Sequence, residues 1–358
     1  MNFSATFSLQ KNDLLVTISF FLIVVLATIA SRQLRLTSEN ALLFEDTTYL
    51  KVDQRTNLEG LIESLDSLNV DYDQQELRWA SRILGWRTFQ RGNYEINGYY
   101  SYEVFLSKLS RGIQDPVPVV ILPGITKERF ALSVSNQVSI NEEDMLDIFQ
   151  DSLFLDELGL TTEELFGRML PETYRIYWTS TPKELVRRVL REFESTVIDV
   201  YSDSTDALGY SIQDVLTMAS IVEWEANLEE EKAVISGLYW NRLNQRMRLQ
   251  ADPTVNFAIG ERRRLLFEDY EFEHPFNTYL NRGLPPGPVT NPSLSTIKAT
   301  LFPEEHNYIY MVANPEGGHI FTETFEEHQV ESAKWRRWLR EQYRIKRARD
   351  AENSSSER

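Results

Sequence analysis

The most uniform run of hydrophobic positions is LLVTISFFLIVVLATIA, residues 14 to 30, with 17 uncharged and almost wholly apolar positions. As a helix it spans about 26 Å against a hydrocarbon core of about 30 Å, which is enough for one membrane crossing. A cleavable signal peptide is the competing reading. The run is longer than the usual apolar region of a signal peptide, and ATIASRQ offers a poor small-residue cleavage site, so a retained anchor is expected. The flanking charges do not orient it, because Lys11 precedes the segment while Arg32 and Arg35 follow it.

Beyond the anchor the pattern breaks into short mixed segments up to about residue 117. LEGLIESLDSL is apolar at helical spacing, NYEI reads as a strand, Asn97-Gly98 as a turn, and Phe105, Leu106 and Leu109 mark a following helix. The strand VPVVIL, 117 to 122, ends at Pro123-Gly124, and helical patterns then dominate to about 245. RGLPPGPVTNPS, 282 to 293, is too rich in turn formers to be a regular element. A last strand, NYIYMVA, leads through Gly317-Gly318 into a helix that runs towards the tail NSSSER, which reads as disordered. The fold class expected is α+β, an N-terminal transmembrane helix followed by a small α/β module and a larger mixed domain.

Composition narrows the function. With 42% hydrophobic and 12% aromatic residues in 358, a sizeable core is available. A formal charge of −17 argues against a nucleic-acid partner, whose phosphates would be neutralised by Lys and Arg. Cysteine is absent, which removes disulfides, thiolate catalysis and cysteine metal sites together. His274, His306, His319 and His328 show no tight ligand spacing, and no phosphate loop or nucleophile elbow is present, so neither metal nor cofactor is expected.

One carboxylate stands out. MASIVEWEA, 218 to 226, places Glu223 directly after Ile221 and Val222. Ser211 and Asp214 have capping-box spacing, so a helix begins there and puts Leu216, Ala219, Ser220, Glu223 and Ala226 on one face. Such a face raises a carboxyl pKa by desolvation and leaves room for a ligand, the conditions for a general acid. From this helix alone, a salt-bridged or simply exposed Glu223 is the blander and favoured alternative. Glu225 lies about 200° further round and cannot share a site with Glu223. Asp252, held extended before Pro253, is the candidate second carboxylate, or a turn former. Asn277, Thr278, Tyr279 and Asn291 offer neutral donors and acceptors beside aromatic rings, as a sugar cleft requires, although ordinary loop capping explains them equally well.

Taken together, MASIVEWE, RLQADPTVNFAIG, FNTYLNRGLPPGPVTNP, YIYMVANPEGGHIF and TFEEH resemble the blocks of the endolytic murein transglycosylases, the MltG or YceG-like family, in order and approximate spacing. The resemblance runs from about residue 95 to about residue 335, and earlier only the layout matches. It implies a tail and anchor at 1–31, a LysM-like module at 32–117, a YceG-like catalytic domain at 118–345 and a flexible tail at 346–358. It further implies cleavage of the MurNAc to GlcNAc β-1,4 bond without water, leaving 1,6-anhydro-MurNAc ends, with Glu223 as acid and then base. The two-carboxylate glycosidase scheme is then not needed. Gln250, Asp252, Thr254, Asn277, Thr278, Tyr279, Asn291 and His319 would shape the cleft or support Glu223. Two positions depart from the family, which often has lysine where Trp224 stands and glycine where Ser293 stands. The partners implied are peptidoglycan glycan strands, the cytoplasmic membrane and peptidoglycan synthases, with the N-terminus inside and the catalytic part outside. A wall-binding scaffold and a water-using muramidase are the competing functions.

The C-terminal KWRRWLREQYRIKRARD is strongly basic, and its Trp335, Trp338 and Leu339 share a helical face. It either rests on anionic headgroups or packs its aromatics on the domain and solvates its charges.

Overall fold

Helix Lys11–Thr37 contains the whole apolar run and continues past it through Arg32 and Arg35. The structure is a computed structural model that describes residues 11–356 apart from Asn40, Asn69 and Asp71. The first ten residues of the expected cytoplasmic tail lie outside the described residues. From Asn12 to Thr37 the helix is long and apolar enough to cross a membrane, with mean hydropathy 2.6 in its most apolar window. Its C-terminal end is held by its own unit. Arg35 pairs with Glu76 at 2.6 Å and lies 3.9 Å from the Trp79 ring centre, while Arg32 donates to the Ile83 carbonyl.

The chain forms two compact units, Met1–Val117 with Arg175–Thr179, and Pro118–Tyr174 with Ser180–Arg358. In the first, strand Leu42–Val52 pairs antiparallel with strand Gly92–Tyr100, and helices Leu58–Ser67 and Gln74–Leu84 lie between them in sequence. Alternate residues Leu42, Phe44, Leu50, Val52, Tyr94 and Ile96 point into a core shared with Leu61, Leu65 and Leu77. The turn expected at Asn97-Gly98 is instead part of a continuous strand. Gly98 takes φ 69° opposite Phe44, where the register slips between Phe44 and Thr48, so its left-handed backbone makes a bulge rather than a reversal. Helix Tyr102–Arg111 follows, capped by Ser101 and buried through Phe105, Leu106 and Leu109.

The second unit is mostly helical, and helix Ile212–Glu225 runs through a large hydrophobic cluster within it. The predicted capping box is present, with the Asp214 N–H donating to Ser211 Oγ and the Ser211 N–H to Asp214. Every residue from Val215 to Val222 is buried, against Phe193, Leu238, Leu249 and Ile297 among others. At about 1.5 to 3 kcal/mol for each large apolar side chain removed from water, this helix is fixed in place before any polar contact is considered. Loop 282–293 is pinned to it, because the Val289 N–H donates to Ser220 Oγ at 2.9 Å. Ser220 is therefore a buried clasp and does not leave room for a ligand.

The expected strand 117–122 is observed as Pro116–Val120. Near the C-terminus the sequence pattern misses an element. Strand Tyr310–Ala313 turns through Gly317 and Gly318 into a second strand, His319–Thr322, with Ala313 opposite His319. Helix Phe325–Ser356 then continues through most of the segment read as a flexible tail, and residues 357 and 358 lie outside the described residues.

Candidate active site

Glu223 lies in the last turn of its buried helix, where the chain emerges half-exposed. Its carboxylate does not meet a purely apolar wall. Oε2 accepts from the backbone N–H of Ser293 at 2.9 Å, from the Ser293 hydroxyl at 2.8 Å and from the Thr296 hydroxyl. Neither alternative reading of Glu223 describes this arrangement, since its partners are neutral donors and not an arginine. Ser293 is the N-cap of helix Leu294–Leu301, with extended backbone and its hydroxyl accepting from the Thr296 N–H. The acid therefore sits at the positive end of a second helix, where amide dipoles stabilise negative charge.

A buried cation stands one hydroxyl away. Lys232 Nζ is 3.5 Å from Ser293 Oγ, 3.1 Å from Ser295 Oγ and 2.6 Å from Glu229. On the other side, Gly124 approaches the Glu223 side chain with φ +63°, and a Cβ there would lie 3.5 Å from Glu223 Cγ. The Trp224 indole N–H donates to the Gly124 carbonyl at 2.8 Å, and the Arg262 guanidinium lies 5.0 Å from the Trp224 ring centre. Trp224, Phe257, Phe166, Asn256, Lys127 and Arg262 line a cleft of about 220 Å³. Trp224, noted in the sequence only as a departure, is thus a wall of the cavity next to the acid.

The remaining candidates divide into braces and surface groups. Asn291 is fully buried, accepting from the Ile125 N–H and donating to the carbonyls of Leu122 and Met169. It fastens the Gly124 loop against Glu223. Thr254 and Thr278 are buried and joined hydroxyl to hydroxyl at 2.9 Å, and Asn277 is spent on the carbonyls of Tyr270 and Phe272 and the Tyr279 N–H. Thr254 and Thr278 tie loop 270–281 to the start of helix Asp252–Ala258, Asn277 holds the loop to itself, and none of the three presents a free polar atom to a sugar. Gln250 is exposed and holds φ +49°, a left-handed backbone that costs a non-glycine residue about 1 to 2 kcal/mol. His319 is engaged by Glu231, which accepts from its N–H at 2.6 Å and pairs with Nδ1 at 2.9 Å.

Asp252 does not serve as a partner to Glu223. It accepts from the Tyr279 hydroxyl at 2.7 Å, and the carboxylate it faces is Glu225. Glu225 is partly buried. Desolvation pushes its carboxyl up to about 7, with repulsion from Asp252 adding to the rise and Arg242 opposing it. The Tyr279 phenol is likewise driven well above its usual range, by burial first and by Asp252 second. Ser293, Thr296, Lys232 and Glu225 were not singled out as site residues in the sequence. A serine before an apolar run was the available signal for the first two, a helix cap whose neighbour is known only in three dimensions.

Over 305 residues the chain is 25% identical to an endolytic murein transglycosylase of Bacillus subtilis (strain 168), covering 81% of this chain and 85% of that protein. It is 28% identical over 262 residues to an endolytic murein transglycosylase of Streptococcus pneumoniae serotype 2, covering 64% of this chain and 47% of that one, so the match spans about half of the pneumococcal protein. The crystal structure of a yceG-like protein from Listeria monocytogenes superposes with a TM-score of 0.55 at 26% identity, over 80% of this chain and 99% of that one. The model of the YceG-like family matches residues 50–334, and the chain belongs to that family.

Proposed function

We propose that this protein is a peptidoglycan lytic transglycosylase, anchored by helix Lys11–Thr37, that cleaves MurNAc to GlcNAc β-1,4 bonds within glycan strands. Family membership and relatives named endolytic murein transglycosylases support the reaction class. The observation that carries the residue assignment is the fixing of a single oxygen of Glu223 by Ser293 and Thr296. Among the described residues no hydrogen bond engages Oε1. A proton on Oε1 leaves Oε2 a carbonyl oxygen that still accepts from these donors through its two lone pairs.

In the proposed cycle that proton passes to the leaving GlcNAc oxygen as the C1–O bond of MurNAc breaks. The resulting carboxylate then takes the proton of the MurNAc C6 hydroxyl as O6 bonds to C1. The product is the 1,6-anhydro end, no water is consumed, and Glu223 ends the cycle protonated. Fixed donors on Oε2 stabilise the carboxylate formed midway without needing to reorganise. Trp224 and Phe257 give the adjoining cleft the aromatic surface that sugar faces prefer.

Two helices between paired strands in 42–100, with the short strands Thr56–Asn57 and Thr88–Phe89 flanking the helices, support a LysM-like reading of residues 32–117 as a wall-binding module. With the N-terminus inside, the catalytic unit faces the wall, and tethering raises its effective concentration on strands leaving the synthases, which suits termination of nascent glycans. The test is mass spectrometry of purified peptidoglycan digested by the full-length protein in neutral detergent and by its Glu223→Gln variant. Internal fragments ending in anhydro-MurNAc, absent with a folded variant that still binds glycan, are expected. Reducing MurNAc ends would make the acceptor water, and intact strands that retain the protein would make it a scaffold.

A further inference from the structure

The second unit carries a concentrated positive site that the proposed reaction does not use. Between Lys334 and Arg349 the sequence holds eight basic residues against one carboxylate, Glu341, in a chain of net charge −17. On helix Phe325–Ser356, Arg340, Arg344 and Arg347 recur at spacings of four and three, which places their side chains on one face. Arg264 approaches that face from the loop after helix Asp252–Ala258 and donates to the Tyr343 hydroxyl at 3.1 Å. These four arginines and Tyr343 line one cavity of about 450 Å³. The neighbouring Arg263 is committed to Asp269, and Arg344 of the cavity pairs with Glu341 at 2.7 Å.

We propose that this cavity is a binding site for a phosphoryl anion, either free phosphate or the phosphodiester of a lipid headgroup. Four like charges around one space repel one another and are held together at a cost that a multivalent anion removes. Guanidinium groups match phosphate oxygens with paired N–H donors, and the Tyr343 hydroxyl supplies one more. The volume accepts a phosphate together with the glycerol of a headgroup. In a chain of net charge −17, capture at this point also orients the molecule towards an anionic surface. The interaction is polar, and no insertion of the helix is required.

The test is calorimetric titration of the full-length protein in uncharged detergent with inorganic phosphate, glycerophosphoglycerol and glycerophosphocholine. The cavity variant is Arg264→Gln/Arg340→Gln/Arg347→Gln. The control, Lys334→Gln/Arg336→Gln/Arg349→Gln, removes equal charge from outside the cavity. Saturable one-to-one binding is expected, weakened at least about tenfold in the cavity variant and less than about twofold in the control. Phosphate binding as tightly as glycerophosphoglycerol identifies the ligand as free phosphate, whereas tighter glycerophosphoglycerol identifies a headgroup. Absence of binding by all three, or equal weakening in both variants, overturns the site.

Discussion

Ser293 donates twice to the same oxygen of Glu223, from its backbone nitrogen at 2.9 Å and from its hydroxyl at 2.8 Å. The first bond needs no side chain, and the second depends on the serine hydroxyl. Ser293→Gly keeps the amide donor and weakens the helix cap by only a few tenths of a kcal/mol. Thermal unfolding should therefore change little, while turnover on peptidoglycan falls about tenfold with little change in KM, the signature of a lost transition-state contact. Unchanged turnover would reduce the hydroxyl to a cap.

Asn291 tests whether the Gly124 loop is held by one side chain. Truncation to alanine leaves the Ile125 N–H and the Met169 carbonyl buried without this partner, and releases the carbonyl of exposed Leu122. Each such group costs about 1 to 3 kcal/mol. Asn291→Ala should lose about 3 kcal/mol or more in urea unfolding, and because Gly124 and Trp224 Nε1 bond beside Glu223, activity should fall further than the unfolded fraction accounts for. A loss under about 1 kcal/mol would mean that water or the loop itself satisfies these groups.

Glu225 makes stability depend on pH in a specific direction. Its carboxyl is raised from 4.5 to about 7, so the folded state holds a proton that the unfolded state releases. The charged groups facing it are Asp252, which opposes its charge, and Arg242, which favours it, with the neutral phenols of Tyr239 and Tyr279 nearby. The stability this carboxyl contributes is complete below about pH 4.5 and is lost as pH rises through about 7, a change of about 3 kcal/mol. Glu225→Gln should unfold like the parent at pH 4 and be more stable by up to about 3 kcal/mol at pH 8. Equal destabilisation at both pH values would assign Glu225 a packing role instead.

What the sequence made legible were features set by local pattern. The apolar span, the Ser211 cap and the helix bearing Glu223 follow from hydrophobic period and one capping box. Thr254 and Thr278 were legible as polar residues that matter, but not as buried braces, because a hydrogen-bond partner 24 residues away leaves no trace in local spacing. The same holds for Ser293 and Thr296, which meet Glu223 across 70 and 73 residues. At Gly98 the turn signal was real in backbone terms, a positive φ, yet the partner strand at Phe44 converted it into a bulge. Arg32 and Arg35, which the sequence offers as flanking charges, are engaged within the first unit by Ile83, Glu76 and Trp79, a use that local charge counting does not reveal.

Gln250 offers the sharpest separation of function from fold. Its backbone stands at φ +49°, its N–H donates to the Thr278 carbonyl at 3.3 Å, and its side chain is exposed. Glycine adopts this conformation freely, so Gln250→Gly removes strain of about 1 to 2 kcal/mol at an added unfolded-state entropy of about 0.5 to 1. The variant should be more stable by about 0.5 to 1 kcal/mol. Gln250→Ala keeps the strain and removes the same amide, and it should be no more stable than the parent. A strained residue whose side chain braces nothing is kept for what that side chain meets outside the fold, so both variants should lose about tenfold in kcat/KM on peptidoglycan. If the glycine variant gains stability and keeps full activity, the amide has no part in the cleft, and the backbone bond to Thr278 is the reason for this loop's shape.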